Sequence, residues 1–123
     1  MRNRVLVVED EKALRSALVD KLTHEGFSVT EAKNGQEGLE QAMSDHPDCI
    51  LLDIVMPIKD GMTMLAELRQ DQWGKTVPVI ILTNLSDLDN VSNAVSGGSY
   101  DYLIKSDWKL DDVVAKLRER LSN

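Results

Sequence analysis

Short apolar runs recur along the chain: Val5-Leu6-Val7-Val8, Cys49-Ile50-Leu51-Leu52 and Val77-Pro78-Val79-Ile80-Ile81-Leu82. They are continuous rather than alternating, the pattern of parallel strands buried on both faces. Pro78 falls near the start of its run, where a strand tolerates a residue without an N–H. Phe27-Ser28-Val29-Thr30 and Tyr102-Leu103-Ile104 are weaker strand candidates.

Between the runs the apolar period changes to that of amphipathic helices. Leu14, Leu18 and Leu22 share a face, as do Leu39 with Met43, and Leu65 with Leu68. Val113, Val114, Leu117 and Leu121 mark a last helix, and Asp87–Ser96 a weaker fourth one with Val91, Ala94 and Val95 as its apolar side. Asn34-Gly35, Asp60-Gly61 and Gly97-Gly98 read as turns or caps. A strand-helix unit is thus repeated five times, which predicts an α/β fold, a parallel sheet with helices on both faces.

Composition narrows the function without naming it. The 123 residues suit one domain with a single core. Repeats, linkers and low-complexity segments are absent, and the chain stops just after the last predicted helix. The expectation is therefore one domain over 1–123 with no output domain. A formal charge of −7 without a basic stripe argues against direct nucleic-acid binding. No signal peptide or membrane-spanning run is evident, and the single Cys49, in an apolar run, suits a reducing cytoplasm.

Ligands of open parallel sheets bind beyond the carboxyl ends of the strands. Those ends carry Glu9 and Asp10 on the first strand, Asp53 on the third, Thr83 on the fourth and Lys105 on the fifth. Taken alone, Asp10 could be a helix N-cap, with Glu11 favoured by the helix dipole. Asp53, directly after four apolar residues, needs a partner if it is even partly buried. Three carboxylates on one rim repel one another, which implies a cation. Mg²⁺ suits the rim, because it uses one or two carboxylates, keeps several waters and is completed by phosphate oxygens. Lys105 adds a second positive charge and Thr83 a hydroxyl donor. An Asp carboxylate can attack phosphorus to give an aspartyl phosphate, and that transfer needs positioning and charge stabilisation rather than a base. His24 and His46 are expected to face solvent.

Together these residues resemble a response-regulator receiver domain from end to end. Val7-Val8-Glu9-Asp10-Glu11 is followed by Pro47-Asp48-Cys49-Ile50-Leu51-Leu52-Asp53-Ile54-Val55-Met56-Pro57-Ile58-Lys59-Asp60-Gly61, then Ile81-Leu82-Thr83 and Asp101-Tyr102-Leu103-Ile104-Lys105. The resemblance implies a flavodoxin-like doubly wound sheet of order 2-1-3-4-5. It implies Asp53 as phosphoacceptor, with Mg²⁺ held by Asp10, Asp53 and the Val55 backbone carbonyl directly and by Glu9 through water. Thr83 and Lys105 would bind the phosphoryl group, and Tyr102 would be an aromatic switch coupled to Thr83. Tyr102 as plain packing, and Met56-Pro57 and Asp60-Gly61 as turn chemistry, are the simpler readings of those residues; Met62 and Met64 read as helix packing. The implied function is a cytoplasmic two-component phosphorelay switch rather than an enzyme acting on an external substrate. A histidine kinase or phosphotransfer protein would phosphorylate it. The fourth predicted helix, fifth strand and last helix would form the output face.

Three residues depart from the family pattern. Glu9 stands where Asp is usual, Asn84 where a small residue is usual, and Ser106 where Pro, often after a cis bond, is usual. A cis bond before a non-proline residue costs about 3 kcal/mol, so a trans bond is expected there, with Ser106 or Asp107 free to cap the last helix. Rival readings fit less well. A Mg²⁺-dependent phosphohydrolase would carry an acid-base carboxylate where Val55 stands, and a substrate-binding insertion. A flavin carrier would not place Glu9-Asp10-Glu11-Lys12 in its phosphate loop. A receiver that has lost phosphorylation would not be expected to keep the acidic and Lys positions.

Overall fold

The computed structural model describes residues 3–54, 56–83, 100–104 and 109–121, with the backbone path alone for Thr83 and Tyr100–Ile104. Along the chain run β1 (Arg4–Val8), α1 (Lys12–His24), β2 (Ser28–Ala32), α2 (Gly35–Asp45), β3 (Cys49–Asp53), α3 (Gly61–Gln70), β4 (Val79–Thr83), β5 (Tyr100–Ile104) and α4 (Leu110–Leu121). All strand pairs are parallel, in the order β2-β1-β3-β4-β5, as the sequence predicts. The helix expected over Asp87–Ser96 and the Gly97-Gly98 turn lie outside the described residues. Among the described residues no helix is long and apolar enough to cross a membrane.

The side-chain period of a strand divides the apolar runs between two cores. Leu6, Val8, Ile50, Leu52, Val79 and Ile81 face α2 and α3, where Ala42, Met64, Leu65 and Leu68 cover them. Val5, Val7, Cys49, Leu51, Ile80 and Leu82 face α1 and α4, where Leu18, Leu22, Val113, Val114 and Leu117 do so. Every one of these strand side chains is fully buried, which is why the runs show no polar alternation.

Local chemistry sets the helix starts. Asn34 Oδ1 accepts from Glu37 N–H at 2.8 Å, and Asp60 Oδ1 from Thr63 N–H at 2.8 Å, so both Asx-Gly pairs are N-caps. At α4 the cap works from inside: Asp112 Oδ2 accepts from Lys109 N–H at 2.7 Å. The helix opens at Leu110, and Ser106 and Asp107, its expected caps, lie outside the described residues. Asp10 is not the N-cap of α1. Glu11 occupies that position in α1 without a side-chain cap.

Ion pairs tie α1 to α4 at the surface. Lys21 meets Asp111 at 2.8 Å and Arg118 meets Glu25 at 2.9 Å. The Lys21 ammonium holds the Asp111 carboxyl below its ordinary range, and Asp111 raises Lys21 in return. Both groups are solvated, so apolar packing, not this pair, carries the α1–α4 contact.

Glycine controls how closely α3 approaches the end of β3. Gly61 N–H donates to Ile54 O at 2.8 Å, and a Cβ on Gly61 would sit 2.1 Å from Asp53 O. Only a residue without a side chain fits there. Gly61→Ala should therefore destabilise the fold by about 2 kcal/mol or more through overpacking against backbone. Gly26→Ala, which meets nothing within 4 Å, should cost less, limited to the strain of φ 99. Urea unfolding of both variants checks this; a wild-type midpoint for Gly61→Ala would contradict it.

Candidate metal centre

Register brings the acidic residues together. Val8 pairs with Leu52 across β1 and β3, so Glu9 and Asp53 are the next residues on neighbouring strands. Strand parity then puts both side chains on the same face as Val7 and Leu51. Asp53 is the last residue of β3, paired with Leu82 of β4, and is 4% exposed. Glu9 has no exposed surface, and its N–H donates to Ala32 O at 3.0 Å, which extends the β1–β2 ladder by one bond. Asp10 follows at the exposed rim.

One carboxylate oxygen from each of Glu9, Asp10 and Asp53 lies within 4.8 Å of the other two. Carboxylates at that spacing repel one another when ionised, and a nearby cation relieves that repulsion. Carboxylate oxygens from two adjacent strand ends, opening to solvent at Asp10, form a donor set for a hard divalent cation. The residues present fit such an ion. One Glu9 oxygen is already engaged, as Oε2 accepts from Glu11 N–H at 3.0 Å.

The other residues singled out from sequence lie as follows. Thr83 ends β4, one position beyond the residue paired with Asp53. Tyr102 lies in the middle of β5, paired with Ile81. Val55, Lys105, Asn84 and Ser106 lie outside the described residues. In the loop after Asp53, Met56 packs into the α2–α3 core, while Ile58 is 83% exposed and holds φ 68. That conformation is a strained one for a β-branched side chain. Lys59 pairs with Glu67, and its carbonyl accepts from Gly35 N–H at 2.9 Å, tying this loop to the start of α2.

Two features escaped the sequence reading. Arg15, in α1, donates from Nη1 to Glu9 O at 2.9 Å and Asp10 O at 3.4 Å, and from Nε to Glu31 Oε1 at 3.0 Å. Its one available signal was a cation near a helix N-terminus, where the dipole disfavours it. His46 is exposed as expected, yet its ring stacks on Trp73 at 4.2 Å between centroids and 13° between planes. Nothing in the helical period announces that pair, because the two residues come from different helix ends.

Comparison with known proteins agrees with this geometry. The family profile described as the response regulator receiver domain matches residues 5–118. The response regulator MprA of Mycolicibacterium vanbaalenii is 38% identical over 121 residues, covering 96% of this chain and 50% of MprA. The chain thus spans about half the length of the curated relatives it matches. The solved receiver domain of Francisella response regulator 1452 superposes with a TM-score of 0.85 at 31% identity, over 97% of this chain and 96% of that one. The receiver domain of the Pseudomonas aeruginosa sensor histidine kinase PA1611 gives 0.88 at 27% identity, over 100% of both chains, and its structure carries a magnesium ion coordinated in the active site cleft. With its sheet order, its clustered carboxylates and a match along nearly its whole length, the chain belongs to the receiver domain family of two-component response regulators.

Proposed function

We propose that Asp53 accepts the phosphoryl group in this receiver domain and that the ion held beside it is Mg²⁺. The observation that carries this reading is the gathering of Glu9, Asp10 and Asp53 oxygens within 4.8 Å at the end of β1 and β3. Asp10, Asp53 and the Val55 carbonyl are the proposed direct ligands. Glu9 acts through water, which suits a buried carboxylate already bonded to the Glu11 N–H. When bound, Mg²⁺ supplies charge stabilisation for the phosphoryl oxygens.

The donor is a phosphohistidine of a histidine kinase or phosphotransfer protein. An Asp53 carboxylate oxygen attacks phosphorus, the P–N bond breaks, and its electron pair leaves on the imidazole. Asp53 is 4% exposed at the end of β3, beside its partner Leu82 on β4, and this burial restricts the nucleophile's direction, so little entropy is left to lose in the transfer. Thr83 and Lys105 receive the phosphoryl oxygens, and Tyr102 follows Thr83. The chain's chemistry is confined to its own phosphorylation and dephosphorylation. Output passes through the Asp87–Ser96 segment, β5 and α4 to an output domain or partner protein. The setting is cytoplasmic, in keeping with the buried Cys49 thiol.

Acetyl phosphate should label the wild type only with Mg²⁺ present, and Asp53→Asn should take no label; equal labelling of that variant, read by intact-protein mass, would overturn the assignment. Asp10→Asn should weaken Mg²⁺ binding more than Glu9→Gln, because a direct charged ligand is lost. Calorimetry at matched ionic strength measures both, and a larger loss at Glu9 would reverse the proposed orientation of the pair. Lys105→Ala should still be labelled, more slowly, while the phosphorylation-induced amide shifts around Tyr102 and Leu110 shrink. Full-size shifts in Lys105→Ala would mean that the switch runs through Thr83 alone.

A further inference from the structure

The geometry points to Arg15 as a positioning residue for the metal site, an inference that rests on the Mg²⁺ reading above. Arg15 comes from the first turn of α1, where a positive charge opposes the helix dipole. It is nevertheless held there, with its side chain only 15% exposed. Its guanidinium reaches Glu9 O at 2.9 Å and, more weakly, Asp10 O at 3.4 Å, while Nε meets Glu31 Oε1 at 3.0 Å.

Those two carbonyls belong to the residues whose carboxylates face the site. The Glu9 carbonyl leads into the peptide plane of Asp10, and the Asp10 carbonyl into that of Glu11. A single planar fork bonded to both therefore fixes how the chain turns from β1 into α1. That turn sets where the Asp10 side chain leaves the backbone, and Asp10 is the exposed member of the cluster. Glu11 gives the turn no side-chain cap, so α1 itself offers little to hold it.

A cation so close to a metal site would also repel the metal. Glu31 on β2 answers that charge, and the Arg15–Glu31 pair presents almost no net charge to the cluster. The guanidinium thus keeps its orienting bonds while its Coulombic cost is largely cancelled. Two consequences separate these effects. Losing Arg15 should weaken the metal if orientation dominates and tighten it if repulsion dominates. Losing only the Glu31 charge should weaken the metal slightly, and less so at high salt.

Mg²⁺ titration of the full chain by calorimetry tests this, with thermal midpoints measured in chelator alongside. Arg15→Ala should lower Mg²⁺ affinity about tenfold, the scale seen when an orienting partner of a ligand is removed. Arg15→Lys should not restore it, because an ammonium cannot bond two carbonyls and a carboxylate in one plane. Glu31→Gln should cost about twofold at low salt and nothing measurable in 0.5 M chloride, given a Debye length of about 4 Å there. Should Arg15→Ala fail to fold, Arg15→Gln replaces it with the same expectation. Unchanged or tighter Mg²⁺ binding in the folded Arg15 variant, with only the midpoint lowered, would reduce Arg15 to a structural clamp and overturn its role. Absence of saturable binding by the wild type would overturn the Mg²⁺ reading itself and this inference with it.

Discussion

Mutual repulsion of three carboxylates is the constraint around which this domain is arranged. Glu9, Asp10 and Asp53 offer oxygens within 4.8 Å of one another, and two of the three residues are buried. A fold selected for stability alone would not bury charges of one sign together. It would fill the ends of β1 and β3 with the same apolar residues that precede them. The cluster is instead held by features that leave it no freedom to disperse: strand register, the Ala32 ladder bond, the Glu11 N–H and the Arg15 fork. Such a site is pre-organised for added positive charge, and for a phosphoryl group brought in with it.

Much of this was legible in the residues, and for a specific reason. A strand buried on both faces admits no polar residue, so its first carboxylate marks its end. Val8 to Glu9 and Leu52 to Asp53 are such points, and the period-2 rule then places both side chains on one face. Asn34-Gly35 and Asp60-Gly61 were equally readable, because an Asx cap and a close helix approach each demand a residue type. Strand ends were less so. β2 runs to Ala32 rather than stopping at Thr30, since an edge strand tolerates the exposed Glu31 that the apolar pattern counts against it.

What stayed hidden depends on contacts between elements distant in sequence. Arg15 looks like an ordinary surface helix residue until Glu31 and the Glu9 carbonyl are seen beside it. The alternative reading of Asp10 as an N-cap was physically reasonable; the helix simply begins one residue later, at Lys12 after Glu11, which leaves the Asp10 carboxylate for the cluster. The left-handed φ of Ile58 could not have been read from a β-branched residue, which disfavours it. Its carbonyl neighbour Lys59 holds α2 through Gly35, so the loop after Asp53 is tied down from outside its own sequence.

On the proposed mechanism the carboxylate cluster binds Mg²⁺ and the bound site then accepts a phosphoryl group at Asp53. The most direct measurement is a two-stage amide chemical-shift titration, first with Mg²⁺ and then with beryllofluoride as a stable stand-in for the phosphoryl group. Mg²⁺ should give saturable shifts confined to residues near Glu9, Asp10 and Asp53, and beryllofluoride should then give shifts that extend into β4, β5 and α4 only when Mg²⁺ is present. Beryllofluoride shifts of equal size without Mg²⁺, or none at all with it, would mean that the cluster is not a Mg²⁺-dependent phosphoryl site.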